Sequence, residues 1–172
     1  MLNDPGPALV TIRSMPRIYH KLQTAWRLPR QEKLWLAFLF PYSALVRVMI
    51  WSLPFRRFAW ILGRVTANHE ALFHAPAEQQ LLARRIGAVC RLVARYTPWE
   101  CKCLAQAIMA RTLLGFYKAP YVIHLGVLKE RGSDGGLKAH AWLRVESTII
   151  TGGADSESYV KASTYLPRSL SE

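Results

Sequence analysis

Two cysteines and one histidine are the residues whose types and spacing could support covalent chemistry. Cys101 and Cys103 lie near the start of an Ala- and Leu-rich run that follows Thr97-Pro98 and ends at Gly115, which predicts a helix. His140 lies further along, in a run that alternates in the manner of a strand. A cysteine at a helix N-terminus and a distant histidine on a strand are typical of a thiol nucleophile and its general base.

The residue types alone do not decide which cysteine is the nucleophile or which histidine is the base. A thiolate near a helix N-terminus is stabilised by unpaired backbone N–H groups and by the helix dipole. Residues two apart on a helix face different sides, so only one of Cys101 and Cys103 can face the base. Cys103 is the candidate and Cys101 its competitor, while His124 competes with His140. The alternative is that all four are ordinary structural residues.

A general base also needs a third group that orients its ring. If the chain turns back just after the His140 strand, His140 faces residues 152–155, where Asp155 is the only carboxylate. Asp155 is therefore the predicted third member, because Glu146 and Asp134 lie at turns.

The composition limits the other classes of function. The chain has 172 residues and a formal net charge of +12, which favours an anionic partner, but its basic residues are dispersed and do not favour nucleic acid. Cys-x-Cys is not a zinc spacing and no second Cys or His pair completes it, so neither a metal nor a cofactor is expected. Three clustered cysteines, together with a start that does not resemble a signal peptide, predict a cytoplasmic protein.

The segment 34–53 is apolar over the length of a transmembrane helix. Pro41 interrupts it and Arg47 lies in its second half, which disfavour a span. The first interpretation is a helix pair, buried or covered by a partner, that is broken at Pro41. The alternatives are a helix that docks on a membrane surface or on a partner protein, and a true span.

The order of the remaining elements predicts an α+β fold, with helices first and antiparallel strands second. We expect an N-terminal arm and apolar helices in residues 1–70 and the core domain in 71–172. The predicted helices cover 54–63, 76–96 and 99–114; the predicted strands cover 121–128, 137–145, 148–151 and 159–166; 64–75 is predicted to be a loop.

Several of these motifs together resemble one family, the B2-type leader peptidases of lasso peptide biosynthesis, which are transglutaminase-like cysteine proteases. The resemblance covers about residues 75–166. It rests on Pro98-Trp99-Glu100, Cys103-Leu104-Ala105-Gln106-Ala107, Ile123-His124-Leu125-Gly126-Val127, Ala139-His140-Ala141-Trp142 and Ile150-Thr151-Gly152-Gly153.

The resemblance implies a papain/transglutaminase-like core, with a nucleophile helix packed on an antiparallel sheet and an N-terminal helical extension. By motif position, Cys103 is the nucleophile and His140 the base, and Trp99 and Gln106 are expected at the oxyanion or substrate site. Part of the family has an Asp twelve residues after the histidine, where this chain has Gly152. The third member is then Asp155, another polar group, or none.

The function implied is removal of the leader from a ribosomally made lasso precursor. The implied partners are the precursor peptide, a separate leader-binding B1-type protein and an ATP-dependent cyclase, and 34–53 would contact these partners or a membrane surface. Two other classes remain: an acyltransferase with the same Cys-His pair, and a non-enzymatic basic module that binds nucleic acid or membrane.

Overall fold

The computed structural model, which describes residues 28–68, 73–129, 136–154 and 156–168, combines helices with a five-stranded antiparallel sheet, and all strands but the first follow the helices in the chain. The helices are α1 (Arg30–Ser52), α2 (Phe55–Phe58, continued by a 3-10 turn at Ala59–Leu62), α3 (Ala77–Tyr96) and α4 (Cys103–Phe116). The strands are β1 (Arg64–Thr66), β2 (Val122–Lys129), β3 (Leu137–Val145), β4 (Thr148–Thr151) and β5 (Val160–Leu166). The expected α+β class is confirmed.

The sheet has the strand order β1-β5-β2-β3-β4, and every neighbouring pair is antiparallel. The β2–β3 hairpin aligns Gly126 with His140, which brings the candidate base to the middle of the sheet. The prediction of a loop over 64–75 was wrong at its start, because β1 pairs with β5. Three residues are too few to show an alternating pattern, and this strand forms only through its partner. The domain division at 70/71 stays a prediction; β1 lies on its N-terminal side and belongs to the core sheet.

Helix α4 packs against the sheet and against α3. Its buried face includes three alanines, Ala105, Ala107 and Ala110, and these small side chains allow a close approach to β3. The helix begins at Cys103 and not near Trp99 as predicted. Thr97, which precedes a proline, is extended and ends α3, so residues 97–102 form a connection that delivers Cys103 to the first helical position.

Helix α1 is one continuous helix, so the predicted break at Pro41 was wrong. Proline removes a single helical hydrogen bond, and here Pro41 lies on the solvent side. The opposite face packs along its length on α3 and α4, through buried Trp35, Leu39, Ser43 and Val46. This packing holds the helix together across the proline.

Candidate active site

Cys103 and His140 line the same cavity, which has a volume of about 410 Å³. Cys103 comes from the first turn of α4 and His140 from β3, and both side chains are partly exposed. The other lining residues are almost all apolar: Phe55, Leu104, Leu125, Gly126, Val127, Ala139, Ala141, Ala162 and Ser163. The fold therefore brings the two predicted catalytic residues to one site.

The N-terminus of α4 offers hydrogen-bond donors beside the thiol. Gln106 N–H is bonded to the Lys102 carbonyl at 3.1 Å, as in a regular helix. The N–H groups of Cys103, Leu104 and Ala105 precede this bond, and the Lys102 side chain does not cap them. An oxyanion that forms next to the Cys103 sulfur can accept hydrogen bonds from such groups and gains from the helix dipole.

The other two thiols are buried in the core. Burial raises the pKa of Cys101 above its usual value, although hydrogen bonds from Ser43 and Thr97 oppose the shift. Burial also raises the pKa of Cys90, which is fully enclosed within α3. Cys103 is the thiol that reaches the cavity.

Selective alkylation provides a direct test of this ranking. Iodoacetamide at neutral pH is expected to modify Cys103 at least about tenfold faster than Cys90 or Cys101, because a raised pKa and burial both leave little reactive thiolate. Peptide mapping by mass spectrometry during a time course measures the three rates. Equal rates in the folded chain would contradict the ranking, and a urea-unfolded sample, in which all three thiols react alike, is the control.

His140 is held in one orientation by a backbone group. Its Nε2 lies 2.9 Å from the carbonyl oxygen of Gly152. A carbonyl can only accept a hydrogen bond, so Nε2 carries the proton of the neutral ring. Nδ1 is then the ring nitrogen that can accept a proton from another group. Two aromatic rings flank the imidazole: Tyr159, with centroids 4.9 Å apart, and Trp142, nearly parallel at 5.9 Å.

The third group of the site is therefore a carbonyl in this structure. Asp155, the predicted member, lies outside the described residues, so its role stays a prediction. Gly152 has φ of +70°, and a Cβ at this position would overlap the Ala141 carbonyl and approach the Trp142 Cα to 2.9 Å. Glycine is needed here for the backbone to turn and reach His140. A backbone carbonyl that orients the histidine cannot be recognised from residue types, because every residue has one. The only sequence feature that points to it is the Gly-Gly pair after β4.

The side chains of Trp99 and Gln106 make hydrogen bonds that hold the segment preceding Cys103. The Trp99 indole N–H donates to Ser43 Oγ at 3.0 Å, and the Gln106 amide donates to the Cys101 carbonyl at 2.9 Å. Neither side chain lines the cavity formed by the described residues. Their expected part in oxyanion or substrate binding stays a prediction. The two hydrogen bonds hold residues 99–102 in place.

His124, the competing histidine, is fully buried on β2. Its Nδ1 lies 2.9 Å from Thr164 Oγ1, and its ring is tilted against Trp142 at 5.4 Å. It pairs with Trp142 in the β2–β3 register, on the same face of the sheet as His140, and it does not line the cavity. Over the part of the chain that the structure describes, no group of three or more Cys, His, Asp or Glu side chains could hold a metal ion.

Comparison with known proteins identifies the superfamily of the chain. A family model of the transglutaminase-like superfamily matches residues 49–164, which is most of the chain. The chain therefore belongs to the transglutaminase-like superfamily, whose members are typically cysteine-dependent enzymes. No curated protein and no solved structure gave a significant match.

Proposed function

We propose that this chain is a cysteine peptidase that removes the leader peptide from a ribosomally synthesised lasso precursor. The peptidase chemistry is supported above all by one observation: a single cavity is lined by both Cys103 and His140. Cys103 lies at a helix N-terminus, and His140 is hydrogen-bonded through Nε2 to the Gly152 carbonyl. Superfamily membership supports thiol chemistry. The lasso precursor as substrate is supported by the resemblance of the motifs around Cys103 and His140.

The first half of the reaction forms an acyl-enzyme. His140 Nδ1 accepts the Cys103 proton, and the sulfur attacks the scissile carbonyl. The N–H groups at the start of α4 hold the oxyanion of the tetrahedral intermediate. When this intermediate collapses, the C–N bond breaks and His140 donates its proton to the departing amine, which becomes the N-terminus of the core peptide.

The second half releases the leader. Its last residue is bound to Cys103 as a thioester, and His140 Nδ1 now takes a proton from water, which attacks the thioester carbonyl. The C–S bond breaks, the leader leaves with a new carboxylate, and the thiol regains its proton. Throughout, the hydrogen bond from Nε2 to Gly152 keeps the other ring nitrogen directed to the reaction.

The lining of the cavity indicates the kind of residue beside the scissile bond. The side chains of Phe55, Leu104, Leu125 and Val127 make the cavity apolar. An unpaired charge would lose its hydration there without compensation. We therefore propose that the substrate presents small or apolar residues next to the cleavage site, and that recognition of the rest of the leader is left to the separate B1-type protein.

The further partners follow from the same proposal. The precursor is delivered by the leader-binding protein, and the free core amine is passed to the ATP-dependent cyclase in the cytoplasm. These partners rest on the resemblance.

Product analysis tests the reaction type. The precursor, the leader-binding protein and this chain are incubated with and without excess methylamine, and the products are identified by mass spectrometry. We expect a leader carboxylate and a core peptide with a free amine in both cases. The superfamily also supports acyl transfer, and a leader methylamide formed in place of the carboxylate would show that the chain is an acyltransferase. Absence of both products would refute the proposed function; the precursor without this chain is the control.

A further inference from the structure

Helix α1 has an apolar face that the rest of the described chain does not cover. Its residues recur at intervals of three and four along one line of the helix, which places them on a single face. We call this line the apolar stripe, and it consists of Leu34, Phe38, Pro41, Leu45 and Val48. Leu34 and Leu45 are 70% and 67% exposed, although the opposite face of the same helix is buried.

The segments around the apolar stripe are basic. Arg30 and Lys33 are exposed at the start of α1, and Arg56 and Arg57 are exposed just after its end. The acidic residue of this region, Glu32, is turned to the protein body, where it pairs with Arg85 at 2.7 Å. An apolar line with cations near both ends is complementary to an anionic bilayer surface, where headgroups attract the cations and the hydrocarbon boundary takes the apolar side chains.

Two exposed tryptophans lie in the same part of the chain. Trp51, in the last turn of α1, is 82% exposed, and Trp60 is 61% exposed. Tryptophan is enriched at membrane–water interfaces because its ring is apolar and its N–H is polar. Phe55, also partly exposed, lies between them and lines the cavity of Cys103 and His140. The exposed apolar residues thus continue to the candidate active site.

The packing of α1 decides between lying on a membrane and crossing it. By length and composition α1 could span a bilayer. The core helices of some soluble proteins pass the same test, but they are mostly buried, whereas only 22% of the 18-residue apolar window of α1 is buried. Its inner face makes polar contacts with the body: Trp35 Nε1 donates to Tyr117 Oη at 2.9 Å, and Tyr42 Oη lies 3.0 Å from Thr112 Oγ1. A span would have to break these contacts.

We propose that the apolar stripe, with its flanking cations, binds this protein to the surface of an anionic lipid bilayer, with α1 lying in the plane of the interface. Binding uses the folded chain as it is, since the inner face of α1 stays packed on α3 and α4. The proposal is independent of the peptidase reaction.

Vesicle flotation of the full-length chain tests the proposal. We expect the partition coefficient to be at least about tenfold higher on vesicles that contain phosphatidylglycerol than on phosphatidylcholine alone, and to fall with added salt. The double variant Leu45→Ser/Val48→Ser is expected to lose at least about tenfold in partition, because two apolar side chains no longer enter the interface.

The matched control is Leu81→Ser, since Leu81 is 61% exposed on α3, away from the stripe. It should bind within about twofold of the unchanged chain. Circular dichroism melting checks that both variants are folded. The proposal is overturned if the unchanged chain does not float, if the stripe variant floats equally well, or if Leu81→Ser loses as much. It is also overturned if no vesicle binds and sedimentation equilibrium shows a dimer that the stripe variant dissociates, because the occupant is then a second copy.

Discussion

Replacing Cys103 with alanine is expected to lower the rate of precursor cleavage by at least about 10³-fold, because no other thiol lines the cavity formed by the described residues. A weakened base or oxyanion site leaves part of the reaction intact, but loss of the nucleophile removes the acyl-enzyme altogether. Initial rates from liquid chromatography with mass spectrometry measure the effect.

Cys101→Ala is the matched control, two residues away in the same segment. Cys101 is 8% exposed and contributes to packing, so we expect a rate within about threefold of the unchanged chain and a loss of stability of about 1 kcal/mol. The assignment fails if Cys103→Ala still trims the precursor. It is reversed if Cys101→Ala loses the activity while its melting temperature is unchanged.

Replacing Gly152 with alanine is expected to damage both stability and rate. The backbone at this position has φ of +70°, and an added Cβ would meet the Ala141 carbonyl. We expect the free energy of unfolding to fall by at least about 2 kcal/mol, since the left-handed conformation and the overlap both cost energy. The Gly152 carbonyl must also move from His140 Nε2, so kcat should fall at least about tenfold with a smaller change in KM.

Gly152→Asp tests the same point against the family pattern. From the family pattern alone, in which an Asp can occupy this position, this change would be expected to restore a missing carboxylate. The structure leads to the opposite expectation, because any Cβ at this position displaces the carbonyl that already orients His140. A Gly152→Asp variant with raised kcat and unchanged stability would refute this account.

Gly115→Ala is the matched control for both Gly152 variants. Gly115 lies in α4, and a Cβ there meets nothing within 4 Å. Alanine is the better helix former, so we expect a gain of about 0.5–1 kcal/mol in the free energy of unfolding and an unchanged cleavage rate. Denaturant titration measures the stabilities, and kinetics are compared at a temperature at which every variant is folded.

Much of the secondary structure was predictable from local patterns. The strands over 137–145 and 148–151 have the expected bounds, because alternation and turn residues are local signals. The helix that carries Cys103 was also expected, but its start was not, since the chain between Thr97 and Lys102 is held by contacts such as Trp99 with Ser43, a residue of α1. Such contacts join residues far apart in the sequence.

By itself, the sequence determined the α+β class and the residue types at the site, a thiol at a helix start and a histidine on a strand. Only the tertiary structure decided which cysteine reaches the cavity, because exposure depends on the packing of α1, α3 and α4 around Cys101 and Cys90. It also decided what orients His140. The hydrogen bond donated by Nε2 is accepted by a backbone carbonyl that β4 and the turn at Gly152 bring into reach, and every residue type has such a carbonyl.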